Sequence, residues 1–384
     1  MLGRARIEPV RRLAHDLVWK HGPVTQPLPR DDARRTDEAV LERAIGSVVA
    51  AAAGDALGAP YEFQGPIAAS EDVGMIGGGV LDWGEAEWTD DTSMAIVVLE
   101  AAASTPGTHD LRTLSALDQI AREWYSWSMG TPDIGALTST VMRRAADGAR
   151  EAGRSLPHAV DLQEAAASAN RELPLVAGNA ALMRAHASVL PYLHASDDDT
   201  EDGIRTLCML THVHPDALEA CVLWGFAVRH AILTGEIDVR IALDRLPEDR
   251  RAVWRERIED AEQASPAEFP RNGWVVAAFQ AAWAAVHRVM PLPEDRFARR
   301  EALVAALSSA VRAGYDTDTV ACITGALIGA ALGPKAVPPE WRRELFGWPG
   351  YEVAELENLV ERVVRPAPVS AGTAPIEIPT RKPE

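Results

Sequence analysis

The feature that most constrains the fold is a helical spacing of apolar residues along most of the chain. Apolar side chains recur three or four residues apart, which is the repeat of one face of an α-helix. The strict alternation that predicts a half-buried strand is nearly absent. The segments with this spacing are 38–53, 92–103, 112–128, 178–190, 216–233, 273–288, 298–312 and 317–332. We therefore expect an all-α protein.

The same pattern predicts one domain between two flanks. Helical spacing covers about 38–364 without an internal repeat, whereas 21–36 and 365–384 are rich in proline. Proline-rich, polar composition is typical of flexible connections. We expect a single compact helical domain at 38–364, a flexible or accessory extension at 1–37 and a flexible tail at 365–384.

Two of these segments are crowded with alanine and glycine. They read AIGSVVAAAAGDALGA at 44–59 and ITGALIGAALG at 323–333. Small side chains let helix backbones approach closely in a dense core. Gly325 and Gly329 also have the spacing of a membrane dimer motif. The apolar run at 320–332 is shorter than the roughly 18 residues that a membrane span needs, so we expect a buried helix of a soluble core.

Composition narrows the classes of function. The chain has 384 residues, 47% hydrophobic and 24% charged, with a formal net charge of −18. Such a charge disfavours general binding to nucleic acid or to an anionic membrane, because both require basic surfaces. Cys208, Cys221 and Cys322 lie in apolar helical patterns, which is typical of reduced core residues. The basic N-terminal stretch has no apolar signal segment, so we expect a cytoplasmic protein.

Paired acids and hydroxyls precede two of the apolar helices. The stretches are Thr89-Asp90-Asp91-Thr92 and Asp316-Thr317-Asp318-Thr319. Each could simply cap its helix, since such side chains accept hydrogen bonds from first-turn N–H groups. One residue suffices for a cap, however. If the two stretches met, carboxylates ~4 Å apart would repel by about 4 kcal/mol at an effective dielectric of 20, and a bound cation would remove that repulsion.

The ligand types indicate which cation that would be. Carboxylate and hydroxyl oxygens suit Mg²⁺, Mn²⁺ or Ca²⁺ rather than Zn²⁺. An EF-hand starting at Asp316 would need glycine and glutamate where the chain has Ala321 and Leu327, so that reading fails. A haloacid-dehalogenase phosphatase would need a strand before the first aspartate, and 305–315 has a helical pattern instead. Helix capping alone and a hard-metal site both remain open.

The chain resembles the ADP-ribosylglycohydrolase family in seven stretches that occur in the family's order. They are GSVVAAAAGDALGAPYEF (46–63), IGGGVLDWGEAEWTDDTSMA (76–95), TPDIGALTS (131–139), GNAALMR (178–184), THVHP (211–215), NGWVVAAFQAAW (272–283) and AGYDTDTVACITGALIGAALG (313–333). Tyr315 and Ala180 stand where many members have glycine, which adds bulk near the expected pocket.

The resemblance implies an all-α fold with a binuclear site holding two Mg²⁺ or Mn²⁺ ions. By motif match, the metal ligands would be Glu62, Thr89, Asp90, Asp91, Asp316, Asp318 and Thr319. Glu62 matches the family's mobile glutamate, and the resemblance implies catalytic roles for Glu62, Asp91 and Asp316. The expected substrate-binding residues are Asp133, Gly135, Asn179, His212 and Tyr315.

The implied activity is hydrolysis of the C1″ glycosidic bond of an ADP-ribosylated substrate, with release of ADP-ribose. An arginine side chain on a protein is the first expectation for the acceptor. A serine, a nucleic acid base or a small metabolite is the alternative acceptor, and a non-catalytic structural relative is the alternative class. The expected partners are an ADP-ribosylated protein or small molecule, without a membrane and without large nucleic acids.

Other conspicuous residues have plain structural readings. Trp124 and Trp127 lie three residues apart on a predicted helix, and we expect core packing rather than adenine stacking. The acidic run 197–202 predicts a solvated helix start rather than a third metal site. His212 and His214 could either cap the helix expected from Pro215 or line the substrate site.

Overall fold

A computed structural model describes residues 38–105, 109–173 and 177–365. Within these ranges, the α-helices are α1 (Glu38–Gly58), α2 (Asp90–Ser104), α3 (Leu114–Ser128), α4 (Ala136–Glu151), α5 (Ala159–Glu172), α6 (Ala185–Val189), α7 (Asp197–Cys208), α8 (Pro215–Thr234), α9 (Glu248–Gln263), α10 (Val275–His287), α11 (Arg296–Val311), α12 (Thr317–Leu332), α13 (Pro339–Glu344) and α14 (Val353–Val364). Two short strands, β1 (Phe346–Gly347) and β2 (Tyr351–Glu352), pair antiparallel. The all-α prediction is confirmed. The flanks 1–37 and 366–384 lie outside the described residues.

Seven of the eight predicted helices form with shifts of a few residues at their ends, and one prediction is wrong. Of 178–190, only α6 (Ala185–Val189) is α-helical. The preceding residues turn because Gly178 bridges to the backbone of Trp274 and the Asn179 amide donates to the Asn272 carbonyl, at 2.8 Å. These tertiary bonds override the local helical pattern.

The core is organised around contact between the backbones of α1 and α12. A Cβ atom added to Gly54 would lie 2.2 Å from the Ala321 carbonyl oxygen, and one added to Gly325 would lie 2.1 Å from the Ala50 carbonyl oxygen. Both distances are far shorter than van der Waals contact. The predicted close approach of glycine-rich helices is therefore present, and every residue of α12 is buried.

This contact also aligns the acidic stretch 316–319 with the end of α1. A Cβ atom on Gly58 would lie 2.4 Å from the Cα atom of Asp318, and the Thr317 hydroxyl donates to the Gly58 carbonyl oxygen at 2.8 Å. The C-terminal end of α1 thus lies directly on the first turn of α12. Glu62 follows α1 by only one short 3₁₀ turn, Ala59–Tyr61.

The remaining core predictions also hold in the described residues. Cys208, Cys221 and Cys322 are buried and form no disulfide, as expected for core thiols. One described helix, α8, is long and apolar enough to cross a membrane by length and composition, and 72% of its apolar window is buried inside the fold. Burial of that kind is what a core helix requires.

Replacing Gly325 with alanine should destabilise the fold. The added methyl group would meet the Ala50 backbone carbonyl, and overpacking of this kind costs about 1–3 kcal/mol. Denaturant unfolding should report the loss. Gly130→Ala is the matched control, because an added Cβ there has nothing within 4 Å. Equal stability of the two variants would contradict the close-contact interpretation.

Candidate active site

The two acidic stretches meet where the N-termini of α2 and α12 come together. Carboxylate oxygens form three overlapping groups, with all atoms of a group within 4.8 Å of one another. The groups are Asp55 with Asp91 and Asp318, Glu62 with Asp316 and Asp318, and Asp90 with Asp133 and Asp318. Asp318 belongs to every group, so its carboxylate lies at the centre of an acidic cluster, which we call the carboxylate cluster.

Asp55, which the sequence reasoning missed, holds the N-terminus of α2 in place. Its carboxylate accepts four hydrogen bonds: from the Thr89 amide at 2.9 Å, the Thr89 hydroxyl at 2.8 Å, the Thr92 amide at 3.0 Å and the Thr92 hydroxyl at 2.6 Å. Asp55 therefore caps α2 from another helix. The available signal was a lone acid within an otherwise apolar segment.

Capping alone does not explain the paired acids. Thr89 and Asp316 occupy the N-cap positions of α2 and α12, but neither side chain makes a capping hydrogen bond. The bonds that satisfy the start of α2 come from Asp55 instead. Asp90 and Asp91 are consequently free to direct their carboxylates into the cluster.

The threonine hydroxyls lie between the carboxylates. The Thr89 hydroxyl is 3.3 Å from an Asp91 oxygen and 3.4 Å from an Asp318 oxygen, and the Thr319 hydroxyl is 3.4 Å from Asp91. A hydroxyl can donate only one proton but offers two lone pairs. Both threonines therefore present acceptor oxygens to the same space as the carboxylates.

Asp316 is held by an amide network that also contains the missed residue Asn272. The Asn179 amide donates to an Asp316 carboxylate oxygen at 2.8 Å, and the Asp316 amide donates to the Asn272 side-chain oxygen at 3.2 Å. Asn272 in turn donates to the Gly314 carbonyl at 2.9 Å. Asn179 was expected to bind substrate, and the structure places its amide on the predicted metal ligand Asp316.

Burial and mutual repulsion make ionisation of the cluster costly. Burial, followed by the charges of Asp133 and Asp316, raises the pKa of Glu62 to about 10. Burial and Asp316 raise the pKa of Asp133 to about 7. Burial first, then neighbouring carboxylates, raises the pKa values of Asp90, Asp91 and Asp318 well above their usual range. Without compensating positive charge, the cluster binds protons.

The oxygens of the cluster fit divalent cations. Glu62 Oε2 and Asp91 Oδ1 are buried without any hydrogen-bond partner, which is costly for a polar atom unless another ligand binds it. None of the three groups contains a histidine or cysteine. Carboxylate and hydroxyl oxygens are the ligands that Mg²⁺ and Mn²⁺ prefer.

Arg184, also missed by the sequence reasoning, is a buried cation behind the cluster. Its guanidinium lies 4.5 Å from the Trp124 ring centre and donates to the Ala180 carbonyl and to the Thr211 hydroxyl. Burial lowers the pKa of Arg184 to about 10, and its positive charge slightly lowers the pKa of Asp90.

Trp124 donates its indole N–H to the Met94 carbonyl at 3.1 Å, which confirms core packing for this residue; Trp127 is buried too.

The two histidines of THVHP, His212 and His214, have different environments. The His214 ring accepts a hydrogen bond from the Asp216 amide at 3.2 Å and caps α8. His212 is buried, with Nδ1 2.8 Å from the Thr211 hydroxyl and Nε2 without a partner. Nε2 faces Gly178, where an added Cβ would lie 3.2 Å away. Burial lowers the pKa of His212 to about 3, so the ring is neutral.

Two of the expected substrate residues, Gly135 and Tyr315, are exposed to solvent. Gly135 is the exposed N-cap of α4, and Tyr315 is exposed with φ +63°.

The acidic run 197–202 begins α7 as predicted, and its first three aspartates pair with Arg229, Arg245 and Arg112. A solvated helix start is thereby confirmed.

Replacing Asp55 with asparagine should weaken Mg²⁺ binding as well as the fold. The asparagine amide cannot accept the bonds that one carboxylate oxygen now receives, and a buried unsatisfied N–H costs about 1–3 kcal/mol. Calorimetric titration and thermal unfolding would measure both effects. Asp161→Asn is the control, because Asp161 caps α5 in a similar way and should affect stability alone. Unchanged Mg²⁺ affinity in Asp55→Asn would contradict the positioning role.

Known proteins are similar to this chain in sequence and in fold. The ADP-ribosylarginine hydrolase Tri1 of Serratia proteamaculans (strain 568) is 27% identical over 333 residues, which cover 85% of this chain and 80% of that protein. The ADP-ribosyl-dinitrogen reductase glycohydrolase of Rhodospirillum rubrum is 27% identical over 335 residues, which cover 86% and 95%. A solved ADP-ribosylglycohydrolase-related protein complex matches with a TM-score of 0.65 and 25% identity, over 86% of this chain and 99% of that one.

The family comparison spans most of the chain. The ADP-ribosylglycohydrolase family matches residues 36–371, a range that includes every member of the carboxylate cluster. The resemblance seen in the seven sequence stretches is confirmed. The chain belongs to the ADP-ribosylglycohydrolase family, whose members hydrolyse glycosidic bonds.

Proposed function

We propose that this chain is a metal-dependent hydrolase that releases ADP-ribose from ADP-ribosylated arginine side chains of proteins. The observation that carries the proposal is the convergence of carboxylates at one buried place, where Glu62 Oε2 and Asp91 Oδ1 have no partner. Arginine as acceptor is supported by relatives from Serratia proteamaculans and Pseudomonas putida that are named ADP-ribosylarginine hydrolases. The reduced, buried cysteines favour a cytoplasmic location.

Two Mg²⁺ or Mn²⁺ ions would be held by the carboxylate cluster. Glu62, Asp316 and Asp318 form one group of oxygens, and Asp90, Asp133 and Asp318 form another. The expected ligands Asp91, Thr89 and Thr319 have oxygens within hydrogen-bonding distance of these groups or of each other. When bound, such ions orient and polarise the hydroxyls of a ribose. Asp133, expected only as a substrate residue, joins the proposed ligand set.

Glu62 is the proposed acid/base residue. Its carboxyl group lies at the edge of the cluster, next to the exposed Phe63, and one oxygen has no partner. Hydrolysis places the water oxygen on C1″ and leaves the bond electrons with the guanidine nitrogen, which gains a proton. A carboxyl group at this edge can accept the proton of the water and return it to the leaving nitrogen. Asp91 and Asp316 stabilise positive charge that develops on the sugar.

The remaining expected residues would contact the rest of ADP-ribose. Both Asn179 amide hydrogens already donate, to Asn272 and Asp316, so only its side-chain oxygen is available to a ligand. Neutral His212 presents an unpartnered Nε2 toward Gly178, where the absence of a side chain allows a ligand to approach the backbone. Gly135 and Tyr315 remain proposed substrate contacts, and Asp133 keeps that role in addition to its place in the proposed ligand set.

Release of ADP-ribose from ADP-ribosylarginine should require a divalent cation and the cluster. We expect activity with Mg²⁺, loss in EDTA, and a decrease in kcat/KM of about 10²- to 10³-fold in Asp316→Ala, since a removed charge stabiliser typically costs that much. Glu62→Gln should lower kcat by about 10²- to 10⁴-fold. Asp147→Ala, at an exposed ion pair with Arg150, is the control. Chromatography of released ADP-ribose is the measurement.

Other outcomes of that assay identify the alternatives. Binding of ADP-ribose without release from arginine would indicate another acceptor, such as a serine, a base or a metabolite. Neither binding nor release would favour a structural relative without activity. Full turnover of Glu62→Gln with metal bound would remove the acid/base assignment while leaving the hydrolase intact.

Thermal stability should depend on pH and Mg²⁺ together. The pKa values of cluster carboxyls are raised in the folded state, to about 7 for Asp133 and about 10 for Glu62. These carboxyl groups therefore stabilise the folded state most at acid pH. Their contribution to the free energy of unfolding decreases as the pH rises above about 4, the usual carboxyl pKa, and through the folded pKa values. A saturating cation reverses the loss, by about 2.7 kcal/mol at a concentration of 100 Kd.

The increase in Tm on adding Mg²⁺ should accordingly grow from about pH 5 to about pH 8. Differential scanning calorimetry in Mg²⁺ and in EDTA would measure it. Asp318→Asn should lose this increment, because Asp318 belongs to all three carboxylate groups. An increment independent of pH would contradict the protonated state of the metal-free cluster.

A further inference from the structure

We propose that an exposed apolar and acidic surface beside Glu62 docks a basic segment of the acceptor protein. The surface, here called the acceptor surface, consists of residues 59–61 and 63–66 on either side of Glu62, together with residues 71–85. Its exposed apolar side chains are Phe63, Ile76 and Val80, and its exposed acids are Glu71, Asp72, Asp82 and Glu85. The inference rests on the proposed function and names the chemistry of the macromolecule that carries the scissile bond.

Three apolar side chains of this surface are largely exposed to solvent. Phe63 is 59% exposed, and Ile76 and Val80 are each 67% exposed. Single exposed apolar residues are ordinary on protein surfaces, whereas grouped ones indicate an interaction site. These three belong to two backbone segments that contact each other.

The two segments of the surface are tied to each other. The Tyr61 hydroxyl accepts a hydrogen bond from the Gly74 amide at 3.0 Å and lies 3.1 Å from the Gly74 carbonyl oxygen. A Cβ atom on Gly79 would lie 3.0 Å from the Cα atom of Pro60. Ile76 and Val80 are thus carried by a loop that packs directly on the residues before Glu62.

The surface is also continuous with the active site. The Phe63 amide donates to the Tyr315 carbonyl, and the Tyr315 amide donates to the Gln64 carbonyl, each at 2.6 Å. Phe63 and Tyr315 have φ of +64° and +63°, a conformation that costs non-glycine residues energy and is typical of functional sites. These two exposed aromatic residues directly adjoin Glu62 and Asp316 in the chain.

The loop that carries Ile76 and Val80 is preformed. Gly77, Gly78 and Gly79 all have positive φ, and Gly78 exchanges two backbone hydrogen bonds with Trp83, at 2.7 and 2.9 Å. The end of the loop is fixed as well, because the Trp88 indole donates to the Trp348 carbonyl at 3.1 Å. A surface that is already ordered loses little entropy when a partner binds.

Charge indicates that the partner is basic. The chain has no lysine or arginine from residue 44 to residue 111, and the four exposed acids of the surface lie within that interval. Arg312 contributes a positive charge at one edge, where its guanidinium donates to the carbonyls of Ala68 and Glu71. The surface remains net acidic, which steers and orients a positively charged partner. An ADP-ribosylated arginine within a basic, partly apolar segment fits both features.

The test compares a protein substrate with the free modified amino acid. A double variant, Ile76→Ser with Val80→Ser, should lower kcat/KM about 10-fold on a protein that carries ADP-ribosylarginine in a basic segment, as expected for removal of buried interface contacts. On free ADP-ribosylarginine, kcat/KM should stay unchanged, because Ile76 and Val80 belong neither to the carboxylate cluster nor to the proposed substrate contacts. Phe297→Ser is the control, since Phe297 is 65% exposed at the start of α11, about 20 Å along the helix from its end near Gly314.

A second double variant, Asp82→Asn with Glu85→Gln, tests the charge. It should reduce the dependence of kcat/KM on salt for the protein substrate and leave the free substrate unaffected. Because both side chains are exposed, this variant keeps the fold if the apolar double variant does not.

The outcomes separate the inference from the proposed function. If the wild-type protein cleaves the free substrate and both double variants process the protein substrate normally, the docking surface is overturned and the hydrolase stands. Equal losses on both substrates would also overturn docking, because they indicate damage to the active site. If the wild-type protein cleaves neither substrate, the proposed function fails and the inference fails with it.

Discussion

The structure depends on the contact between the backbones of α1 and α12. Glycines at both helices remove the side chains that would separate them, and the result is that Asp55 on α1 and Asp318 on α12 lie in the same group of carboxylates. Asp55 then fixes the start of α2 through Thr89 and Thr92. Three helix ends are thereby aligned by one close contact, and Glu62 and Asp133 reach the same cluster from segments between the helices.

This arrangement has an electrostatic cost that the fold does not remove by itself. Burial and crowding raise the pKa values of the cluster carboxyls, and the buried Arg184 compensates only in part. Because the fold holds these carboxylates close together, it favours the binding of either protons or divalent cations among them. The oxygens of Glu62 and Asp91 that lack a hydrogen-bond partner support the proposed cations, because a buried polar atom without a partner is costly unless a ligand binds it.

The sequence predicts the apolar helices well and the polar connections poorly. Helices with a continuous apolar pattern, such as α12, were placed within a few residues, whereas charged helices such as α9 have a weak pattern and were missed. Asp55, Asn272 and Arg184 act through long-range hydrogen bonds or burial, which no local pattern encodes. The paired acids were recognisable because their number exceeds what capping needs, and their meeting in space required the family resemblance or the fold.

The packed interior and the outer surface of the site affect different properties, the interior the proposed cation ligands and the surface the choice of acceptor. The cluster is fixed by helix contacts and amide networks, so small changes there would disturb the proposed cation ligands before they altered the choice of acceptor. The residues next to it on the outside, Phe63 and Tyr315, are exposed and held in left-handed conformations by backbone hydrogen bonds. Side chains at such positions can change without repacking the core. We therefore expect differences in acceptor among proteins with this interior to arise at the outer surface, and the proposed chemistry of the glycosidic bond to depend on the helix ends.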